Sequence, residues 1–333
     1  MTVGGDHGGE DHGGQDHGGN IDAAIARFGA GDWIDLSTGI NRRAYPLPTL
    51  TQDAWRGLPT HSAQAGLVAA AAAAWGAAPG LAGLALGGAQ AAIQMVPRLR
   101  PAATAGVLVP TYNEHAACLR ACGWDVQGCH ALDDLAGADL AVVVNPNNPD
   151  GRCWSAEALI GLAGRVGLLV VDESFADAQP ALSLLPFACP ANILILRSFG
   201  KFYGLAGLRL GFAFGAPPLI DALARMAGPW PVAGPAIEIG RAALADTAWA
   251  DAMRVQLSAD AVRADRLAQG AGWACVGGTA LFRLYDTPDA TSARDRLARH
   301  HIWSRIFPYS PRWLRLGLPG PEDEWQRLTA ALA

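Results

Sequence analysis

The chain of 333 residues reads as an α/β protein, a mostly parallel sheet between helices with a smaller α+β unit beside it. Three observations predict this. Short apolar runs at 81–86, 106–109, 140–144, 167–171, 193–197 and 209–214 alternate with helical patterns, as in strands joined by crossover helices. Turn formers or reactive side chains stand at the ends of these runs, where parallel sheets gather their ligands. With 51% apolar residues the chain also has the material for a large core.

Charge and cysteine content narrow the function classes. The net charge is −5 and the arginines are scattered, so no nucleic-acid footprint is present and no nucleic-acid partner is expected. Between Arg56 and Arg98 the only titratable side chain is His61, but the stretch is mostly Ala and Gly and is cut by Pro79 and Gly80. No membrane span is expected there. Cys118, Cys122, Cys129, Cys153, Cys189 and Cys275 show no CxxC spacing, which predicts reduced thiols in a cytoplasmic protein. No basic-then-apolar leader opens the chain.

Taken in order, residues 4–20 repeat a five-residue unit that spaces His7, His12 and His17 evenly. Glycine this dense resists helix formation, so residues 1–16 are expected to be a flexible tail, and no metal site is assigned to them. The last copy differs. His17, Gly18, Gly19 and Asn20 run straight into a helical pattern over 21–28, making Asn20 an N-cap and the glycines a source of N–H groups for an anion. From the residues alone, a tail ending in a helix cap accounts for them equally well.

An Ala-rich helix is expected over 63–75. The run 81–86 then ends in Gly87, Gly88, Ala89 and Gln90, a strand-to-helix turn that suits phosphate but occurs in many α/β proteins. The strand 106–109 leads into Pro110, Thr111, Tyr112, Asn113, Glu114 and His115, where Tyr112 by default is a core aromatic. The strand 140–144 ends in NPNNPDG, a fixed turn. The run 167–171 has the look of a strand buried on both faces and ends in Asp172, a costly place for a carboxylate without a cationic partner.

The next turn carries Lys201, the only lysine of the chain, between two apolar runs. A surface lysine on a strand-to-strand loop is one reading. The other is chemical: a desolvated amine loses its proton readily and attacks a carbonyl carbon to form a Schiff base. Ser198 and Arg209 flank it, a hydroxyl and a charged fork suited to a phosphate. Beyond Pro217 the pattern gives one long helix over 235–270, strands over 279–285, 301–306 and 313–316, and helices over 292–300 and 322–332.

The segment SFGKFYGLAGLRLGF resembles the cofactor-lysine signature of fold-type I pyridoxal phosphate (PLP) enzymes, the class I/II aminotransferase superfamily. That resemblance implies that Lys201 carries the coenzyme and that Ser198 and Arg209, with Gly88, Ala89 and Gln90, hold its phosphate. It also implies that Tyr112 stacks on the pyridine face, that Asn148 donates to the phenolic oxygen, and that Asp172 keeps the ring nitrogen protonated. Lys201, Asp172 and Tyr112 are thus the implied catalytic set. Phe175 departs from the Tyr that many aminotransferases carry.

HGGN, a short helix and LDLSTGIN together resemble the opening of the threonine-phosphate decarboxylases of cobalamin biosynthesis, where the opening segment helps form the substrate site. His17, Gly18, Gly19, Asn20 and Asn41 are assigned to substrate on that basis. Gly39 and Arg42 stand where that family has Asn and Pro. WSRIFPYSPRWLRLGLPG resembles the family's C-terminal segment, which implies that Arg315 receives the substrate carboxylate, with Arg305 and Arg312 as further candidates.

The resemblance implies a PLP-dependent lyase that decarboxylates L-threonine O-3-phosphate to (R)-1-amino-2-propanol O-2-phosphate. The alternatives are an aminotransferase acting on a phosphorylated amine such as histidinol phosphate, and a non-catalytic partner in corrinoid synthesis. It further implies a small phosphorylated amino acid as substrate, a homodimer, a large PLP-binding domain over 45–228 and a small domain from 17–44 and 229–333.

Overall fold

The computed structural model describes residues 17–333. The tail expected over 1–16, with His7 and His12, lies outside the described residues.

The elements run α1 (Ile21–Phe28), β1 (Ile34–Asp35), α2 (Gln52–Arg56), α3 (His61–Ala74), β2 (Ala82–Leu86), α4 (Ala89–Met95), β3 (Thr104–Leu108), α5 (Glu114–Ala121) and β4 (Asp125–Cys129). Next come β5 (Leu140–Val144), α6 (Ala156–Ala163), β6 (Leu169–Asp172), β7 (Ile193–Ser198), α7 (Phe199–Phe202), β8 (Gly211–Gly215) and α8 (Pro217–Ala227). The chain closes with α9 (Gly234–Ala245), α10 (Thr247–Gly270), β9 (Ala274–Thr279), β10 (Phe282–Asp286), α11 (Ala290–Ala298), β11 (Ile302–Trp303), β12 (Arg305–Phe307), β13 (Ser310–Gly317) and α12 (Glu322–Leu332). Short polar side chains start many of the helices: Asn20, Thr60, Ser155, Asp246 and Asp289 each accept a hydrogen bond from a first-turn N–H.

Seven strands form the main sheet in the order β2-β8-β7-β6-β5-β3-β4, with β8 antiparallel to both neighbours and the remaining pairs parallel. The sheet is buried on both faces. Leu140, Val142, Val170, Leu194 and Leu196 pack on one side with Ile93, Leu119 and Leu223, while Ala141, Val143, Val171, Ile193 and Ile195 pack on the other with Leu67, Leu159 and Ile237. The two-residue period of a strand thus supplies two cores from one apolar run, which is why β5, β6 and β7 show no polar alternation. The same topology positions the site. Asp172 and Ser198 end their strands, Gly88, Tyr112 and Asn148 follow theirs closely, and Arg209 precedes β8, whose reversed direction brings its amino end to the same edge.

The second sheet is antiparallel, in the order β12-β13-β10-β9. The N-terminal arm reaches the same region, because β1 pairs in parallel with β11, Ile34 opposite Ile302 and Asp35 opposite Trp303.

Several elements differ from the sequence reading. The helix expected over 235–270 is two, broken at Asp246, whose carboxylate accepts the N–H of Trp249 at 2.9 Å and starts α10 afresh. The strand expected over 279–285 is a hairpin in which β9 ends at Thr279 and β10 begins at Phe282. The one expected over 301–306 is divided at the buried Ser304, with β11 serving β1 and β12 serving β13. The strand β4 was not expected, since an edge strand reading DVQGC is mostly exposed and lacks an apolar run.

Candidate active site

One cavity of about 200 Å³ opens at the carboxyl edge of the main sheet, and Lys201 lies in its wall. The strand β7 delivers Ser198 and the chain turns at once into the short helix α7. A Cβ on Gly200 would meet Ala206 Cα at 2.7 Å, so the glycine lets this turn close on the following loop. The Lys201 amine is lowered from 10.5 to about 8, chiefly by burial and then by the Arg315 charge, with Asp172 opposing.

Asp172, at the end of β6, is fully held. Its Oδ2 accepts from His115 Nε2 at 2.9 Å, and its Oδ1 accepts from the N–H of Ser174 at 2.9 Å and from the Ser174 hydroxyl. Burial alone would raise this carboxyl, but the hydrogen bonds from His115 and Ser174 outweigh it and keep the group below the usual range. The carboxylate is therefore maintained as an anion although its side chain is almost wholly buried.

The opposite wall is a chain of polar contacts. Tyr112 donates its hydroxyl to Gln90 Oε1 at 3.1 Å, Gln90 Nε2 donates to Glu114 Oε2 at 2.8 Å, and His17 Nε2 donates to Glu114 Oε1 at 2.9 Å. Burial, then the charge of Glu114, pushes the Tyr112 phenol up to about 12, so it stays protonated. Beside Gln90 the backbone is bare at Gly88, where a Cβ would sit 2.8 Å from Arg209 Nη2. Gly88 has φ +88° and Arg209 itself has φ 53°, both in the left-handed region, so the two sides of this notch are shaped by the backbone. Ser198 and Ala89 line the same end.

The smaller sheet supplies the remaining cations. Arg315, on β13, is buried and donates to Asn148 Oδ1 and to the carbonyl of Ser37, so it joins the turn after β5 to the N-terminal arm. Arg305, on β12, lines the cavity as well. Against Lys201, Arg209, Arg305 and Arg315 stands Asp172, with Glu114 beside the cavity, an arrangement suited to an anionic ligand.

Of the residues singled out in the sequence, Gly88, Ala89, Gln90, Tyr112, Asn148, Asp172, Ser198, Lys201, Arg209, Arg305, Arg315, His17 and Gly18 line this cavity. Others are used elsewhere. Gly19 donates its N–H to Ser37 Oγ at 2.7 Å and Asn20 caps α1, accepting from Ala23. Asn41 lies behind Lys201, donating to the Phe202 carbonyl at 2.9 Å while its own N–H meets the Lys201 carbonyl at 2.9 Å. Arg312 is spent on a surface pair with Asp286. Sequence reasoning missed His115, Glu114 and Ser174. The first two stand in the PTYNEH run already noted, and the first turn of α5 carries them back toward the strand ends.

The cradle fits a planar, phosphate-bearing aldehyde. It offers one depressed amine, a buried carboxylate across from it, and a notch at Gly88 backed by Arg209 and Ser198.

Residues 64–332 match the family model described as aminotransferase class I and II. The chain belongs to that family. Within it, the chain is 42% identical over 308 residues to the threonine-phosphate decarboxylase of Pseudomonas aeruginosa, covering 90% of this chain and 91% of that one. It is 41% identical over 323 residues to a threonine-phosphate decarboxylase of a Sinorhizobium species, covering 94% and 96%. Its fold is similar to the crystal structure of histidinol-phosphate aminotransferase from Sinorhizobium meliloti in complex with pyridoxal-5'-phosphate, with a TM-score of 0.78, 22% identity, and coverage of 93% and 92%. Among the described residues no helix is long and apolar enough to cross a membrane.

Proposed function

We propose that this class I/II aminotransferase relative is a PLP-dependent lyase that converts L-threonine O-3-phosphate and a proton to (R)-1-amino-2-propanol O-2-phosphate and CO₂, a step of cobalamin biosynthesis. The observation that carries this reading is the nearly end-to-end likeness to two threonine-phosphate decarboxylases. The geometry supports the chemistry. PLP, when bound, supplies a sink for the electron pair left at Cα as a bond to it breaks.

Each role of this chain's own residues follows from its position. Lys201 holds the coenzyme through its amine, which burial keeps close to its uncharged form. Asp172, kept anionic by His115 and Ser174, holds a proton on the ring nitrogen. Ser198, Arg209 and the Gly88–Gln90 turn would take the coenzyme phosphate, Tyr112 would flank its ring, and Asn148 would donate to its phenolic oxygen. Arg315 receives the substrate carboxylate, while Arg305 and His17 take its phosphate. Anchoring both ends of so small a substrate spends remote binding energy on orienting the bond to be broken.

The residues 45–228 form the coenzyme domain in this reading, and 17–44 with 229–333 the substrate domain. The protein works in the cytoplasm as a homodimer. Its six free thiols fit a reducing compartment, and Leu47, Trp55, Leu58 and Trp230 leave apolar surface exposed for a second copy.

The test is to incubate threonine phosphate labelled at the carboxyl carbon with and without 2-oxoglutarate. Labelled CO₂ that does not require the keto acid is expected. Glutamate that depends on 2-oxoglutarate, without labelled gas, would instead establish transamination, the reading that the shared coenzyme residues leave as runner-up.

A further inference from the structure

Gly39 stands where the threonine-phosphate decarboxylases have Asn and Phe175 where many aminotransferases have Tyr, and in the structure the two positions touch. A Cβ on Gly39 would come 2.8 Å from Phe175 Cε1 and 2.8 Å from Phe282 Cδ1. With no Cβ there, the two rings meet edge to face, centroids 4.9 Å apart and planes at 78°. Phe175 follows β6 of the main sheet, Phe282 begins β10 of the smaller sheet, and Gly39 belongs to the N-terminal arm. Three separate segments therefore close on one another beside the cavity.

Each ring faces one cation of the site. Lys201 Nζ is 5.7 Å from the centre of the Phe175 ring, and Arg315 Cζ is 5.4 Å from the centre of the Phe282 ring. Both rings are buried. We propose that Phe175 and Phe282, meeting in the gap that Gly39 leaves, form a positioning wall that keeps water from the Lys201 amine and fixes its separation from Arg315. This rests on the reading above in that Lys201 is the reacting amine.

The groups facing Lys201 are Asp172 at the end of β6, Arg209 before β8, Arg305 on β12 and Arg315 on β13. Charge alone does not account for its depressed proton affinity, because burial is the largest influence on it. Phe175 is the aromatic face that supplies part of that burial, and its side chain has no hydrogen-bonding atom to offer an ammonium. A ring face also attracts a cation, but 5.7 Å is near the outer limit of about 6 Å for that contact. Exclusion of water therefore outweighs attraction, and the wall favours the neutral amine.

The experiment uses the fact that Lys201 is the only lysine in the chain. The apoprotein is acylated with acetic anhydride across a range of pH, and the Lys201 peptide is quantified by mass spectrometry. Phe175→Ala, which admits water, is expected to raise the labelling midpoint by about one unit or more toward the ordinary lysine value. Phe175→Leu keeps a large apolar side chain with no hydrogen-bonding atom and should stay close to the parent midpoint. Gly39→Ala wedges the rings apart without removing either, so it should also raise the midpoint, and it serves alone if Phe175→Ala does not fold. Midpoints for Phe175→Ala and Gly39→Ala that superimpose on the parent would overturn the wall. The labelling reads the amine without coenzyme or substrate, so it is independent of whether borohydride reduction fixes the coenzyme on Lys201, which tests the underlying assignment.

Discussion

Arg197 and Glu173 form an ion pair sealed beneath the floor of the cavity, with Nη1 3.0 Å from Oε2 and both side chains shut away from solvent. Glu173 follows Asp172 and Arg197 precedes Ser198, so alternation along the chain places the pair on the face opposite the cavity residues. Arg197 Nη2 also holds Asp177 Oδ1 at 2.8 Å, and its guanidinium lies 4.3 Å from the ring centre of Trp75. Burial pushes the Glu173 carboxyl up against the pull of Arg197. Removing the cation leaves two carboxylates buried without it. Arg197→Met is expected to lower stability by about 3–5 kcal/mol, read from the urea midpoint. It should also weaken coenzyme binding, since the disturbed residues adjoin Asp172 and Ser198. A midpoint equal to the parent's would show that the pair does not hold these two strand ends.

Lys201 gives a stability signature of opposite sense. Its folded value of about 8 lies below its ordinary 10.5, so between those values the unfolded chain binds more protons than the folded one. Stability of the apoprotein must therefore rise with pH across that window. Lys201→Met removes the cost of a partly buried, desolvated ammonium and should stabilise the apoprotein by about 3 kcal/mol near neutral pH. The advantage should shrink through the window and vanish above it. Denaturation curves for the two proteins that stay parallel at every pH would contradict a desolvated, depressed amine.

The same residue tests the coenzyme assignment. Lys201→Ala is expected to abolish turnover and yet bind PLP noncovalently, because the groups assigned to its phosphate and ring remain. Borohydride reduction of the parent protein followed by peptide mass spectrometry should locate the coenzyme on Lys201. Any other site of attachment would remove the centre of the functional reading.

These expectations were legible to different degrees, and the reasons are physical. The strands β5, β6 and β7 announce themselves because both faces are buried, and their ends carry Asn148, Asp172 and Ser198 in sequence patterns that resemble a known family. The strand β4 is hidden because an edge strand has no such run. The division at Asp246 was missed because the apolar period continues across it, although an aspartate is a strong helix-starting residue. In the site, roles that need contact between distant segments could not be seen. His115 reaches Asp172 across 57 positions of sequence, and Arg315 reaches Asn148 across 167. The packing of Gly39 against Phe175 was equally invisible until both were placed in space.

Asp172→Asn keeps the side-chain shape and removes the charge that would hold a proton on the coenzyme ring. Turnover is expected to fall by orders of magnitude, with a smaller change in PLP affinity. The single oxygen of Asn can still accept from Ser174, while its NH2 would face His115 Nε2, which must then accept instead of donate; circular dichroism checks that the fold persists. Near-normal turnover would mean that another group protonates the ring.

The N-terminal segment poses the last test. His17 bonds Glu114 at the start of α5, while Gly19 bonds Ser37 beside β1, so three residues span from the main sheet to the arm across the cavity edge. Glu114 is in turn bonded to Gln90, which ties the position of His17 to the turn proposed for the coenzyme phosphate. If residues 1–15 are only a lead, a chain beginning at Asp16 should keep full activity. Deletion through Asn20 removes both bonds and the cap on α1 together. Loss of a charge-assisted hydrogen bond to an anion is worth about 1.5–3 kcal/mol, so kcat/KM for threonine phosphate should fall by about tenfold to a hundredfold. PLP affinity should change far less, because Lys201, Asp172, Ser198 and Arg209 are untouched. The single substitution His17→Ala leaves Gly19 and the Asn20 cap in place and removes only the imidazole assigned to the substrate phosphate, so on this reading it should reproduce most of the loss. If the long deletion is as active as the chain from Asp16, HGGN is no more than the start of a helix, and the substrate phosphate must be held by the arginines alone.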